Sequence, residues 1–215
     1  MRAVWMREFG GPEVLVAGEA PEPVAGPGQV VIQVAYAGIT FVETMIRATG
    51  FGEPKLPMIL GNGVGGLVSA VGQDVDPGLT GKRVISSTGG SGGYAERVAV
   101  EAAQLIEVPP SLELDAAVAL LADGRTALLL IEAVGLREGE RVLIEAAAGG
   151  VGSLLVQIAR SAGATVIAAA GGERKTHLAH ELGAELTVDY RDPDWADQVR
   201  TAFDGVDVVF DGVGG

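Results

Sequence analysis

The sequence predicts an α/β protein in two parts, a mostly-β part over residues 1–110 and a parallel, doubly wound sheet over residues 111–215. Three observations lead to this prediction. Short apolar runs with a period of two fill the first part. Two consecutive prolines, Pro109 and Pro110, interrupt the chain near residue 110. Beyond them strand-like runs alternate with helical runs, which is the pattern of parallel βαβ units.

The first part reads as a series of short strands. The run QVVIQVAYA (29–37) places Val30, Ile32, Val34 and Tyr36 on one face, as a half-buried strand requires. Similar runs are GLVSAVG, KRVISS and GYAERVAV, each bounded by Gly, Pro or Asp. We expect a small barrel or rolled sheet with one short helix over residues 41–47.

The second part begins with helix-start residues after Pro110 and then alternates helices with strands. The strands are expected in RVLIEA (141–146), TVIAAA (165–170), ELTVDY (185–190) and VDVVF (206–210). A doubly wound dinucleotide-binding domain usually has six strands. We therefore expect the chain to end inside this domain, so that the domain is incomplete at its C-terminus.

The composition excludes several classes of function. The chain has no cysteine, which rules out disulfides and thiolate metal sites and suits a reducing compartment. A net charge of −13 makes nucleic acid an unfavourable partner. No apolar run is long enough to span a membrane. We expect a soluble cytoplasmic protein without a membrane partner.

Two glycine-rich segments compete as the dinucleotide-binding loop. LGNGVGG (60–66) contains a literal G-x-G-x-x-G, but a strand-like run follows it where a helix would have to begin. We interpret it as a glycine-rich turn that leads into a strand. In RVLIEAAAGGVGSLLVQIAR a strand leads into Ala147, Gly149 and Gly152, and a helix follows. We place the pyrophosphate there, at the helix N-terminus.

The next strand indicates which dinucleotide binds. NAD enzymes usually carry an acidic residue about 20 residues beyond the glycines, to bind the ribose 2′-hydroxyl. Here the strand ends in Ala169 and Ala170, and Arg174 and Lys175 follow on a helical turn. This favours a 2′-phosphate and therefore NADPH. The alternative is that these two side chains lie on a solvent-exposed helix face and bind no phosphate.

Four segments resemble one known family. EAAAGGVGSLLVQIAR, HLAHELGAE, FDGVGG and, earlier, GGYAERV are similar to zinc-free medium-chain dehydrogenase/reductase proteins of the quinone oxidoreductase (zeta-crystallin-like) type. The resemblance implies a GroES-like catalytic domain followed by a Rossmann domain. It also implies NADPH-dependent reduction of quinones or activated alkenes.

The resemblance carries site residues onto this sequence. It assigns the pyrophosphate loop to Ala147, Gly149, Gly150, Val151 and Gly152. It assigns the binding of the 2′-phosphate to Gly172, Lys175 and Tyr190. It places Thr126 beside the nicotinamide, and it assigns the lining of the substrate site to a stretch that contains Thr40, Glu43 and Arg47. An alternative for Glu43 and Arg47 is a simple exposed helix pair.

Departures from related families narrow the chemistry. Zinc-dependent relatives have a cysteine ligand and a Gly-His-Glu segment, where this chain has Gly61-Asn62-Gly63. His177 and His180 stand alone on a helix, so we expect no metal. Phe51 lies near where related enoyl reductases have a proton-donating tyrosine, which counts against a thioester reductase.

The expected function is a zinc-independent NADPH:quinone oxidoreductase. The alternatives are a reductase of α,β-unsaturated aldehydes or ketones and a non-catalytic NADPH-binding protein. The partner is then a small-molecule quinone or enone. The resemblance also implies a homodimer, which we do not expect of a chain that ends inside its second domain.

Overall fold

The computed structural model describes residues 1–212. The chain divides into two compact units, Met1–Ala122 and a second unit that starts at Asp123. The domain boundary expected at residue 110 stays a prediction. The last three residues of the segment FDGVGG lie outside the described residues.

The first unit is mostly β-structure, as the period-two runs predict. Its strands are β1 (Arg2–Met6), β2 (Leu15–Glu19), β3 (Gln29–Ala37), β4 (Met58–Ile59), β5 (Gly63–Val71), β6 (Arg83–Ser87), β7 (Arg97–Glu101) and β8 (Ile106–Glu107). They pair antiparallel in two sheets, in the orders β7-β3-β5-β6-β8 and β2-β1-β4. Single 3₁₀ turns lie at Pro12–Val14, Pro77–Leu79 and Ala102–Gln104.

The core of the larger sheet is built on β3 and β5. Val30 and Ile32 are fully buried and pack with Val64 and Val84. The prediction that Tyr36 shares their face is wrong, because Tyr36 is 48% exposed. The β3–β5 pairing shifts register between Val34 and Tyr36, and one extra residue in a strand reverses the alternation beyond it.

The glycine run at residues 60–66 leads into a strand, as predicted. Gly61 lies in the turn with φ of 103°, and a Cβ there would stand 2.6 Å from the backbone nitrogen of Tyr94. Gly66 lies within β5, where a Cβ would stand 2.0 Å from the Gln33 carbonyl oxygen. Close backbone packing therefore accounts for these glycines, and no helix starts on them.

One helix of the first unit is α1 (Phe41–Thr49), which includes the predicted 41–47. Thr40 caps its N-terminus, and Gly50 ends it in the left-handed conformation with φ of 73°. The next helix, α2 (Leu114–Val134), crosses the division between the units.

The second unit is a parallel sheet with alternating helices. After α2 come β9 (Arg141–Ile144), α3 (Gly150–Ser161), β10 (Thr165–Ala170), α4 (Glu173–Leu182), β11 (Leu186–Asp189), α5 (Trp195–Phe203) and β12 (Val208–Phe210). Within the described residues the strand order is β11-β10-β9-β12, with every pair parallel. The four predicted strands and their intervening helices are all present.

Both faces of this sheet are covered. Val142 and Val166 pack on the face that carries Leu155 of α3, whereas Leu143 packs on the opposite face with Val199 of α5. Strands buried on both faces are typical of doubly wound folds. The chain turns to opposite sides of β9 to reach β10 and β12, which creates a crevice at the carboxyl ends of these strands.

No helix among residues 1–212 combines the length and apolarity that crossing a membrane requires.

Candidate functional site

The loop between β9 and α3 forms a tight turn at the carboxyl edge of the second unit's sheet. Ala146 adopts a positive φ of 47°, and its carbonyl oxygen accepts a hydrogen bond from the Gly149 N–H at 2.7 Å. Ala147 is fully buried, and its N–H donates to the Ala169 carbonyl at 3.1 Å. The left-handed residue of this turn is therefore Ala146 and not Ala147, the residue at the position of the motif's first glycine.

The glycines of the loop allow close packing that a side chain would prevent. A Cβ on Gly152 would stand 2.3 Å from the Ala146 carbonyl oxygen, so α3 lies directly against the end of β9. Gly149 is the N-cap residue and makes no side-chain capping bond. The first N–H groups of a helix lack intrahelical acceptors and attract anions. This cradle fits a pyrophosphate.

An acidic residue that sequence reasoning missed stands beside this cradle. A Cβ on Gly150 would lie 2.0 Å from Oδ2 of Asp123, which belongs to α2. A carboxylate near a helix N-terminus is favourable for the helix, but it also lowers the local positive potential. Thr126, one turn further along α2, is exposed.

A second group of residues gathers at the end of β10, where Gly171 and Gly172 lead into α4. A Cβ on Gly171 would stand 2.9 Å from the Tyr190 hydroxyl oxygen. Gly172 has φ of 96°, and Lys175 is exposed on the first turn of α4. The fold thus brings Gly172 and Tyr190 to one sheet edge, with Lys175 on the adjoining helical turn.

Two further residues lie at this edge, and the sequence analysis did not identify them. Oδ2 of Asp189 accepts a hydrogen bond from the Gly172 N–H at 3.0 Å. Arg191 binds the same carboxylate through Nε and Nη2, at 2.9 Å to Oδ1 and 2.5 Å to Oδ2. The guanidinium holds the pKa of Asp189 well below its usual range. The available signal was an Asp-x-Arg that begins on the last residue of a parallel strand.

A carboxyl pair lies at the carboxyl ends of β9 and β12. Burial raises the pKa of Glu145, and a hydrogen bond with Asp211 raises it further. The backbone supports this proximity, because the Glu145 N–H donates to the Phe210 carbonyl at 3.0 Å.

In the first unit, Thr40 and Glu43 form a capping box at the start of α1. The Thr40 N–H donates to Oε2 of Glu43 at 2.6 Å, and the Glu43 N–H donates to Oγ1 of Thr40 at 3.4 Å. Glu43 is only 3% exposed, and its Oε1 accepts the Asn62 N–H at 2.9 Å. Burial raises the pKa of Tyr94, and the Glu43 carboxylate bonded to it raises it further.

The interpretation of Glu43 and Arg47 as an exposed helix pair is therefore wrong. Glu43 is buried against the groups just described, and Arg47 donates from Nη1 to the Gly10 carbonyl oxygen. The Gly10 N–H in turn donates to the Arg47 carbonyl at 2.9 Å. Thr40 and Glu43 thus have a structural task at α1, and their catalytic role stays a prediction.

At the place of the zinc-ligand segment, Asn62 is held by hydrogen bonds to Glu43 and Ser87. The Ser87 hydroxyl donates to Oδ1 of Asn62 at 2.9 Å. His177 pairs with Glu181 at 3.4 Å on the exposed surface of α4. In the part of the chain that the structure describes, no group of three or more His, Cys, Asp or Glu residues could hold a metal ion.

Comparisons with known proteins match both parts of the chain. Residues 26–110 match the alcohol dehydrogenase GroES-like domain, and residues 150–215 match the zinc-binding dehydrogenase family. A 2-haloacrylate reductase of Burkholderia sp is 38% identical over 99% of this chain and 66% of its own length. A quinone oxidoreductase of Pseudomonas aeruginosa is 35% identical over 96% of this chain and 64% of its own length.

A solved structure gives the same result. Escherichia coli quinone oxidoreductase complexed with NADPH has a TM-score of 0.94 at 30% identity, covering 100% of this chain and 67% of that one. The chain thus spans about two thirds of the length of the curated relatives it matches. The predicted fold class, a GroES-like part with a Rossmann-type α/β part, is confirmed.

Proposed function

This chain belongs to the quinone oxidoreductase family of the medium-chain dehydrogenases/reductases, and from that premise we propose that it acts in NADPH-dependent hydride transfer to a quinone. One observation carries the proposal. The glycine cradle at α3 and the group around Gly172 lie at the same carboxyl edge of one parallel sheet. Dinucleotides bind at that edge in doubly wound folds.

The residues of the cradle have a defined task in this proposal. Gly150 and Val151 offer backbone N–H groups to the pyrophosphate, Gly149 precedes them as the N-cap residue, and Gly152 lets α3 approach the sheet. Lys175 and Tyr190 hold the 2′-phosphate beside the turn at Gly172, whose own N–H donates to Asp189. The carboxyl end of β10 consists of Ala169 and Ala170 and carries no acidic side chain that would bind a ribose diol instead.

The chemistry asks little of the protein beyond orientation. Bound NADPH would supply the hydride, and a proton from water would complete the hydroquinone. We assign Thr126 to orienting the nicotinamide. We assign Thr40, Glu43 and Arg47 to the stretch that lines the substrate site, where the Arg47 guanidinium stabilises negative charge on the quinone oxygen.

A nucleotide titration tests the proposal. NADPH and NADH are titrated separately, and binding is followed by nicotinamide fluorescence; 1,4-benzoquinone is then added and nucleotide oxidation is measured. We expect tighter binding of NADPH than of NADH, followed by quinone-dependent oxidation. A folded sample that binds neither nucleotide, or that prefers NADH, contradicts it.

A second candidate function is reduction of an activated alkene. It is favoured by the likeness to a protein named 2-haloacrylate reductase, at 38% identity. A panel of quinones, enones and 2-haloacrylates, each offered with NADPH, distinguishes the two functions by the ratio of kcat/KM values. Binding of NADPH with no oxidation across the panel would instead indicate a non-catalytic NADPH-binding protein.

A further inference from the structure

An acidic side chain reaches the ribose position of this site from a neighbouring strand. In the β10–β11 pairing, Asp189 lies directly beside Ala170, the last residue of β10. Its Oδ2 accepts the Gly172 N–H at 3.0 Å, so the carboxylate reaches the turn between β10 and α4. In NAD enzymes a carboxylate near this turn binds the ribose 2′-hydroxyl. An unpaired Asp189 would repel a 2′-phosphate.

Arg191 removes that obstacle. Its backbone N–H and Nε both donate to Oδ1 of Asp189, at 3.1 Å and 2.9 Å, and Nη2 donates to Oδ2 at 2.5 Å. The pair is therefore a bidentate ion pair closed within three residues of chain. The low pKa of Asp189 that results keeps the carboxylate ionised and the pair intact.

The guanidinium also lies on the turn itself. A Cβ on Gly172 would stand 2.8 Å from Nη2 and 3.1 Å from the guanidinium carbon of Arg191. The side chain of Arg191 is 64% exposed, whereas that of Asp189 is 20% exposed. Within residues 1–212 the side-chain hydrogen bonds of Arg191 use Nε and Nη2. The two N–H groups of Nη1 are left for a ligand.

We propose that the Asp189–Arg191 pair sets the nucleotide preference of this site, with Arg191 cancelling the Asp189 charge and donating from Nη1 to the 2′-phosphate. The inference rests on the proposed NADPH function and adds a specificity-determining residue to it. The inference gives Arg191 and Lys175 different roles in nucleotide binding. Loss of Lys175 removes one attraction, whereas loss of Arg191 also exposes a carboxylate suited to a ribose diol.

Binding measurements on four variants test this. Dissociation constants for NADPH and NADH are measured by nicotinamide fluorescence, and those for 2′,5′-ADP and 5′-AMP by calorimetry. The variants are R191A, D189N, the double variant D189N/R191A, and K175A as the matched loss of a nearby cation. Circular dichroism spectra establish that each variant is folded.

We expect R191A to weaken NADPH and 2′,5′-ADP binding by about tenfold or more, the effect of losing a hydrogen bond to a charged group. NADH and 5′-AMP should bind R191A as well as or better than the wild type. The double variant should regain part of the NADPH affinity, because the bare carboxylate is gone. K175A should weaken NADPH binding and leave NADH binding unchanged.

Two results would overturn the inference. One is an R191A variant that keeps the wild-type NADPH affinity, and the other is a double variant no better than R191A. A wild-type protein that fails to prefer NADPH instead contradicts the proposed function, before any variant is compared.

Discussion

Position 152 requires glycine because the start of α3 packs closely against the backbone of the preceding turn. The atoms that a Cβ would meet are the carbonyl oxygen of Ala146 at 2.3 Å and the Cα of Ala147 at 2.9 Å. Both belong to the backbone and cannot rotate away as a flexible side chain could. The requirement for glycine therefore exists in the protein alone, before any ligand binds.

We expect Gly152→Ala to lower the free energy of unfolding by about 1–2 kcal/mol. Overpacking costs about 1–3 kcal/mol, and the better helix propensity of alanine recovers up to about 1 kcal/mol. Urea denaturation measures the change. Gly212→Ala is the control, because a Cβ there meets no atom within 4 Å. Equal stability of the two variants would show that the turn relaxes freely.

At the scale of elements, one ion pair joins the start of β9 to the loop before β12. Asp207 accepts hydrogen bonds from the backbone N–H and from Nε of Arg141, at 2.8 Å and 3.0 Å. Arg141 also donates to the Phe203 carbonyl at the end of α5, at 2.6 Å. This cluster links β9, α5 and the loop before β12 at the amino edge of the sheet.

The pair predicts a pH dependence of stability. Arg141 lowers the pKa of Asp207 from 3.8 to about 2. Because the native state favours the carboxylate, its contribution is present above pH about 4 and is lost as the pH falls through about 2. We expect Asp207→Asn to be less stable than the wild type at pH 7, with a difference that closes across this window.

Urea midpoints measured from pH 7 down to pH 2 check that expectation. Asp197→Asn is the control, since Asp197 pairs with Arg200 on the exposed surface of α5, where ion pairs contribute little. A difference for Asp207→Asn that stayed constant over the whole pH range would show that the carboxylate charge is not its cause.

For the whole molecule, the two tryptophans provide a separate reporter for each unit. Trp5 lies in β1 of the first unit, and Trp195 opens α5 of the second. The proposed nucleotide site is built from residues of the second unit. A ligand that binds only the native state stabilises the unit that holds its site.

We expect 2′,5′-ADP at 100 times its dissociation constant to raise the unfolding free energy reported by Trp195 by about 2.7 kcal/mol. Single-tryptophan variants, W5F and W195F, separate the two signals in urea denaturation. 5′-AMP at the same concentration is the control and should have a smaller effect. An unchanged Trp195 transition would show that the second unit does not bind the nucleotide.

Much of the fold could be predicted because its signals are local. The run ERKTHLAHEL has the bounds of α4, Glu173–Leu182, since Gly172 and Gly183 limit it on both sides. The four strands of the second unit were recognisable from their apolar runs. Tyr36 was misplaced because a bulge depends on the partner strand, which the period of β3 does not reveal.

The candidate site divides in the same way. The loop proposed to bind the pyrophosphate lies within one βαβ unit, so glycine spacing and context suffice to single it out. Glu43 is different, because its burial depends on Asn62 and Tyr94, which are distant in the sequence. An (i, i+4) spacing with Arg47 on a helix is equally compatible with an exposed pair.

By itself, the sequence determined the order and type of the elements, the position of the glycine-rich loop before α3 and the family. Only the tertiary structure decided that an acid stands at the turn between β10 and α4 after all. Asp189 and Gly172 come together because β11 pairs with β10 in parallel register, which puts both strand ends at one edge. Local sequence patterns reveal the periodicity of helices and strands. The hydrogen-bond partners and the pKa of a charged side chain depend on neighbours that only the fold brings close.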